Sequence, residues 1–172
     1  MIMTAGVRKV ALTAHVAFSV GWLGAVAAFL ALAIAGLTSR DEPRVCAACL
    51  AMDLVTRFVI APLAVASLAS GIVQSLGTTW GLFRHYWVLI KLLLTAFATI
   101  LLVVHMQPIR YLADAALEGA ASGADLAQTK IQLVVDGGGA LIVLLVATAL
   151  AVLKPHGTTP FAVAGSRHLT PD

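Results

Sequence analysis

Two ionisable side chains interrupt long apolar runs in this chain, His15 in the first run and Lys91 in the third. Placing a lysine at the centre of a bilayer costs roughly 2.5–3.5 kcal/mol on insertion scales. Groups that carry such a cost face the protein interior or a cavity, and they suggest function by default. Neutral imidazole is a common metal ligand and an axial ligand of haem iron. A lysine drawn out of water can serve as a base or a ligand, or keep its charge and pair with an anion such as a propionate. His15, Ser19 and Trp22 recur at i, i+4 and i+7, which is one helix face. Trp87, Lys91, Thr95 and Thr99 follow at four-residue steps on another face. The two tryptophans would give a flat ligand, such as a porphyrin, apolar walls.

The elements that must position these residues are long. The chain has 172 residues, 60% of them hydrophobic and 11% charged, against about a quarter charged in ordinary soluble domains. Four segments reach the roughly 20 apolar residues that a membrane span needs. They run from about Val7 to Leu37, Cys46 to Leu76, Tyr86 to Met106 and Ile131 to Leu153. In the first, Arg8 and Lys9 precede the apolar run, as in a signal peptide. Its uncharged stretch, Val10 to Leu37, is longer than a signal h-region of roughly 7–15 residues, so it reads as a retained span. The expected fold is all-α, an integral membrane four-helix bundle of up-down-up-down topology within residues 1–155, followed by a polar tail, 156–172.

Helix punctuation divides the segments. Ser39 or Asp41 can cap the second helix, with Pro43 in its first turn. Gly77 and Gly81 bracket the next turn, and Pro108 is expected to end or kink the third helix. Tyr111 to Lys130 reads as a surface helix and turn, Asp125 as a cap for the fourth helix, and Pro155 as its end. Small residues are dense in the first, second and fourth segments, among them Gly21, Gly24, Ser67, Ser70, Gly71 and Gly137 to Gly139, and are expected at helix contacts.

Antiparallel threading sets depth. His15 and Lys91 each lie about two turns inside helices that start on the same side, so both belong to one leaflet, with their polar faces pointing at each other. His105 lies fourteen residues after Lys91 on nearly the same face, about 21 Å further along. Asp53, Arg57, Gln132 and Asp136 share its leaflet. Arg57 there can pair with Asp53 or with Asp136, or His105 can hold a second cofactor.

The run His15-Val-Ala-Phe-Ser-Val-Gly-Trp22-Leu-Gly24, with Trp87-Val-Leu-Ile-Lys91 later, resembles the CopD-like/HemJ-like superfamily of small membrane proteins, over about half the chain. The resemblance implies a haem b-binding membrane protein. His15 would be the iron ligand, and Lys91 a second ligand or a catalytic cation. Trp22, Trp87, Ser19, Thr95 and His105 would line the pocket. A protoporphyrinogen-oxidase-like activity on a porphyrinogen, or one on a quinone, would follow. The chain departs from that pattern late in its first segment, where Phe29-Leu-Ala-Leu-Ala-Ile-Ala-Gly36 replaces an arginine-bearing run. The CopD side of the resemblance implies copper handling. Cys46, Cys49 and Met52, at three-residue steps, are the soft ligands it would use.

A structural or accessory subunit, alone or with a homo-oligomeric or membrane partner, is the third reading. His85, Tyr86, Trp80 and Trp87 read as an interfacial belt, and His156 and His168 carry no signal. The net charge of +3 is spread over the segment ends, which argues against a nucleic-acid surface. No nucleotide-binding or hydrolase motif is present. The basic residues slightly favour both termini in the cytoplasm of a bacterial inner membrane.

Overall fold

The computed structural model describes residues 3–77, 86–119 and 126–153, together with the backbone but not the side chain of Trp87. Trp80, Gly81, His85, Asp125, Pro155 and the tail lie outside the described residues. The first span is α1, Ala5–Thr38. The second is continuous but has three parts: α2, Glu42–Val55, a π turn, Thr56–Ile60, and α3, Ala61–Gly77. The third is α4, Tyr86–Leu117, and the fourth is α5, Ala127–Leu153. All four spans are long and apolar enough to cross a membrane. The protein is an all-α four-helix integral membrane bundle.

Each span follows the same rule of burial. In α4 the inward positions are Thr95, Ala98, Leu102, His105, Ile109, Leu112 and Ala116, a seam of alternating three- and four-residue steps. In α1 they are His15, Trp22, Val26, Phe29, Ala33 and Gly36. Side chains on the other faces, such as Val10, Val20, Phe58, Phe97, Ile100 and Ile142, are exposed and form the apolar surface that meets lipid. The first span packs on the second and fourth, and the third span also packs on the second and fourth. Spans one and three therefore stand across a diagonal. Their antiparallel neighbours are visible in the cross-links: Ala11 with Gln74, His15 with Ser70, and Ser19 with Ser67 step up α1 and down α3.

The π turn has a local cause. Pro62 has no N–H to give the carbonyl four residues back, and its ring crowds that carbonyl. The wider turn accommodates this, with the Ala61 N–H reaching the Thr56 carbonyl five residues back. It also keeps Met52, Thr56, Ile60 and Ala64 on the buried face at four-residue steps. In a regular helix such steps would drift by roughly 40° each.

Two boundaries differ from expectation. The second helix begins at Glu42, ahead of Cys46, with Pro43 in its first turn. Asp41 holds the cap position without a side-chain cap bond, and its N–H donates to the Ser39 hydroxyl at 3.1 Å. More consequential, α4 does not stop at Pro108 but runs on to Leu117. A proline inside a helix costs about 3 kcal/mol. Burial of Ile109, Leu112, Ala113 and Ala116 against α2 outweighs it, and the Cys46 thiol donates to the Ala116 carbonyl at 3.4 Å. What read as a separate surface helix is this extension.

The extension makes a stability prediction. Leu112 is 0% exposed and Tyr111 is 63% exposed. Leu112→Ala is expected to cost about 2–5 kcal/mol, and Tyr111→Ala about 0.5 or less, in reversible unfolding from mixed micelles. Equal effects at the two positions would contradict a packed helix beyond Pro108.

Candidate functional site

His15 and Lys91 meet across the diagonal of the bundle. Lys91 Nζ lies 3.0 Å from His15 Nε2. The other ring nitrogen, Nδ1, lies 2.9 Å from the Ser70 hydroxyl, which itself donates to the Ala66 carbonyl at 2.6 Å. Hydrogen-bond logic orders this chain. The serine hydroxyl is spent on a carbonyl, so Nδ1–H donates to Ser70 Oγ, and Nε2 accepts from the lysine. His15 is 7% exposed, whereas Lys91 keeps part of its surface open. One turn deeper, Ser19 and Ser67 share a hydrogen bond of 2.8 Å, and on the outer side Gln74 Nε2 donates to the Ala11 carbonyl at 2.7 Å.

Gly71 makes room for this arrangement. A Cβ at that position would come within 3.1 Å of His15 Cε1. The second span thus presents an open notch to the imidazole face and the Ser70 hydroxyl to its edge. By sequence, Ser67, Ser70 and Gly71 read first as packing residues. The signal that distinguishes them is their antiparallel register with His15 and Ser19.

The remaining expected site residues are distributed differently. Thr95 is buried, but its hydroxyl bonds the Lys91 and Leu92 carbonyls of its own helix. Trp22, 2% exposed, does not stand beside Lys91. It lies seven residues beyond His15, about 10 Å along the helix, and walls a separate cavity reaching to His105. His105 is in the opposite half of the bundle, with Nδ1 2.8 Å from the Leu101 carbonyl and Nε2 2.9 Å from Asp136 Oδ2. Arg57 pairs with Asp53 at 2.8 Å, so the Arg57–Asp136 alternative is not the one formed. Gly24, Gly138 and Gly139 touch no neighbour, while Gly21, Gly71 and Gly137 do.

The fit of a porphyrin can be tested against these contacts. An iron with His15 and Lys91 as axial ligands would lie between two nitrogens that are already in hydrogen-bond contact, and the macrocycle would have to pass through that contact. The imidazole also rests on Gly71. As arranged, these residues do not fit a haem between them. The copper reading fares similarly. Cys49 and Met52 are packed into the apolar core and Cys46 is turned to Ala116. Among the described residues, no group of three or more His, Cys, Asp and Glu side chains could hold a metal ion.

No family model, curated protein or solved structure matches this chain.

What the pair can do is acid–base chemistry. The amine, charged or neutral, donates an N–H to the neutral imidazole, and when the pair carries one extra proton an ammonium donates to imidazole or an imidazolium donates to the amine. The proton can cross from Nζ to Nε2 without moving either helix. Gly71→Ala is expected to displace the ring and change the His15 side-chain ¹⁵N resonances, whereas Gly24→Ala should leave them in place. Unchanged His15 resonances in both variants would show that the notch does not seat the imidazole.

Proposed function

We propose that this protein takes up and releases a proton at the Lys91–His15 pair for a lipid-soluble substrate of the quinone or porphyrinogen class. The observation that carries the reading is the 3.0 Å contact between two basic groups inside a membrane bundle. A structural tie alone does not call for it. Interhelical hydrogen bonds in membranes contribute about 0.6 kcal/mol on average, and Ser19–Ser67 already supplies one, while a buried lysine is expensive. Lys91, partly open, is the member of the pair that reaches a ligand. Its ammonium can hydrogen-bond a quinone carbonyl or pair with a porphyrinogen carboxylate. His15, held by Ser70 and Gly71, keeps the proton store behind it.

The substrate class rests on the resemblance to the CopD-like/HemJ-like superfamily. That resemblance singled out the first-span histidine and third-span lysine, the two residues that make this contact. The distribution of basic residues weakly favours both termini in the cytoplasm of a bacterial inner membrane.

The test is a pair of measurements on purified protein. A short-chain quinone titrated into nanodisc-reconstituted protein should quench tryptophan fluorescence saturably. Lys91→Met should weaken binding about tenfold or more, the loss of one charge-assisted hydrogen bond. Optical spectra, air-oxidised and dithionite-reduced, should show no Soret band. A Soret band abolished by His15→Ala would restore haem ligation in place of the proton-exchanging pair. No saturable quenching by a quinone or by a porphyrinogen analogue would remove the substrate assignment.

A further inference from the structure

The other half of the bundle contains a cavity of about 60 Å³ between all four spans, with Trp22, Thr56, Ala98, His105, Asp136 and Gly137 in its wall. Its lining is almost wholly apolar. Two buried polar atoms in that wall, Thr56 Oγ1 and Asp136 Oδ2, have no hydrogen-bond partner. An unsatisfied buried polar group costs about 1–3 kcal/mol, so each needs an explanation.

Thr56 departs from the habit of its own chain. Thr13, Thr38, Thr95, Thr99 and Thr148 each donate their hydroxyl to the carbonyl four residues back. Thr56, first residue of the π turn and 1% exposed, does not. Its hydroxyl is left on the cavity wall. π turns inside α-helices recur at functional sites, and Thr56 stands at the start of this one, with its own N–H still bonded to the Met52 carbonyl.

Asp136 and His105 supply the second argument. His105 Nδ1 is 2.8 Å from a carbonyl, which can only accept, so Nδ1 carries a hydrogen. Gln132 Nε2 approaches the other ring nitrogen at 3.4 Å as a donor. In that state the Nε2 lone pair faces Asp136 Oδ2 at 2.9 Å, two acceptors in contact. Only a proton between them, on the carboxyl or on the ring, relieves the repulsion. The contact has the distance of an ion pair but not the alignment of a hydrogen bond. Among the described residues lining the cavity no other side chain is ionisable. Span one brings Trp22, Val26 and Phe29, and span two brings Thr56 and Ile60. The nearest charges on span two, Arg57 and Asp53, are paired with each other. Gly137 keeps the wall thin, since a Cβ there would meet the Phe29 ring at 3.3 Å.

We propose that Thr56, His105 and Asp136 form a hydrated proton-binding site in the half of the bundle opposite Lys91. A buried water needs about 10–15 Å³ of such volume and two to four polar partners. The cavity has room for that, and Thr56 Oγ1, Asp136 Oδ2 and His105 Nε2 are partners enough for one water in an otherwise apolar lining. Water bridging Thr56 and Asp136 satisfies both orphaned atoms and gives the shared proton a path off the dyad. The site stands on its own observations and does not depend on the substrate assigned to Lys91.

Infrared difference spectroscopy of the full-length protein in nanodiscs, recorded on acidification, tests it. A protonated-carboxyl band should appear, shift in ²H₂O, vanish in Asp136→Asn and persist in Lys91→Met. Thr56→Val, nearly isosteric and lacking only the hydroxyl, should move the band without removing it, and the water O–H bands that respond to H₂¹⁸O should weaken. If Asp136→Asn does not fold, the Thr56→Val comparison still decides. A band identical in wild type and Thr56→Val, or an acidification spectrum unchanged by Asp136→Asn, would overturn the proposal.

Discussion

The bilayer core offers no water to a buried charge, and this one constraint organises the bundle around the contact between Lys91 and His15. Lysine must find a partner inside the protein, and the partner comes from the span across the diagonal. For the imidazole to reach that point, the intervening span must give way, and it does so at Gly71. For the ring to present Nε2 to the lysine, its other nitrogen must be held, and Ser70 holds it. Ser19 with Ser67 and Gln74 with Ala11 fasten the same two helices above and below. Remove the lysine and none of this arrangement is required.

A second consequence follows from the axis of the bundle. Lys91 and His105 share one inward stripe of α4, with Thr95, Ala98 and Leu102 between them. Thr95 spends its hydroxyl on its own backbone, and Trp22 closes the middle of the core from the facing helix. The polar groups are thus gathered at two depths with an apolar divide between them. Each group has its own supporting glycine, Gly71 behind His15 and Gly137 beside the cavity.

Much of this plan could be read from the sequence. Four spans follow from apolar length, and the shared depth of His15 and Lys91 follows from helix rise and antiparallel threading. The rest was hidden for physical reasons. Ser70 and Gly71 look like packing residues because a small side chain serves packing and recognition equally; only the register of α3 against α1 separates the two. Pro108 reads as a stop because its penalty is local, while the burial of Leu112 and Ala116 that offsets it depends on α2. Trp22 shares a helix face with His15, yet a seven-residue step carries it into a different chamber. Arg57 had two acids within reach, and the one on its own helix took it. Thr56 gave no sign by composition, and Pro62 pointed only to the π turn that begins at that threonine.

The length of α4 beyond Pro108 bears on how the bundle sits in its membrane. Its 32 residues span about 48 Å, against a hydrocarbon core of about 30 Å. The final turns carry Arg110 and Asp114, and the turn just after them Glu118, on an exposed face at four-residue steps. Charges so arranged belong in water, so the excess length emerges at this end and is not absorbed by tilt alone. There it stands beside the start of α2, with Asp41, Glu42 and Arg44 also exposed. The end of the third span and the start of the second therefore form a charged border on one side of the bundle, where the exposed Tyr111 and Leu117 stand among the charges.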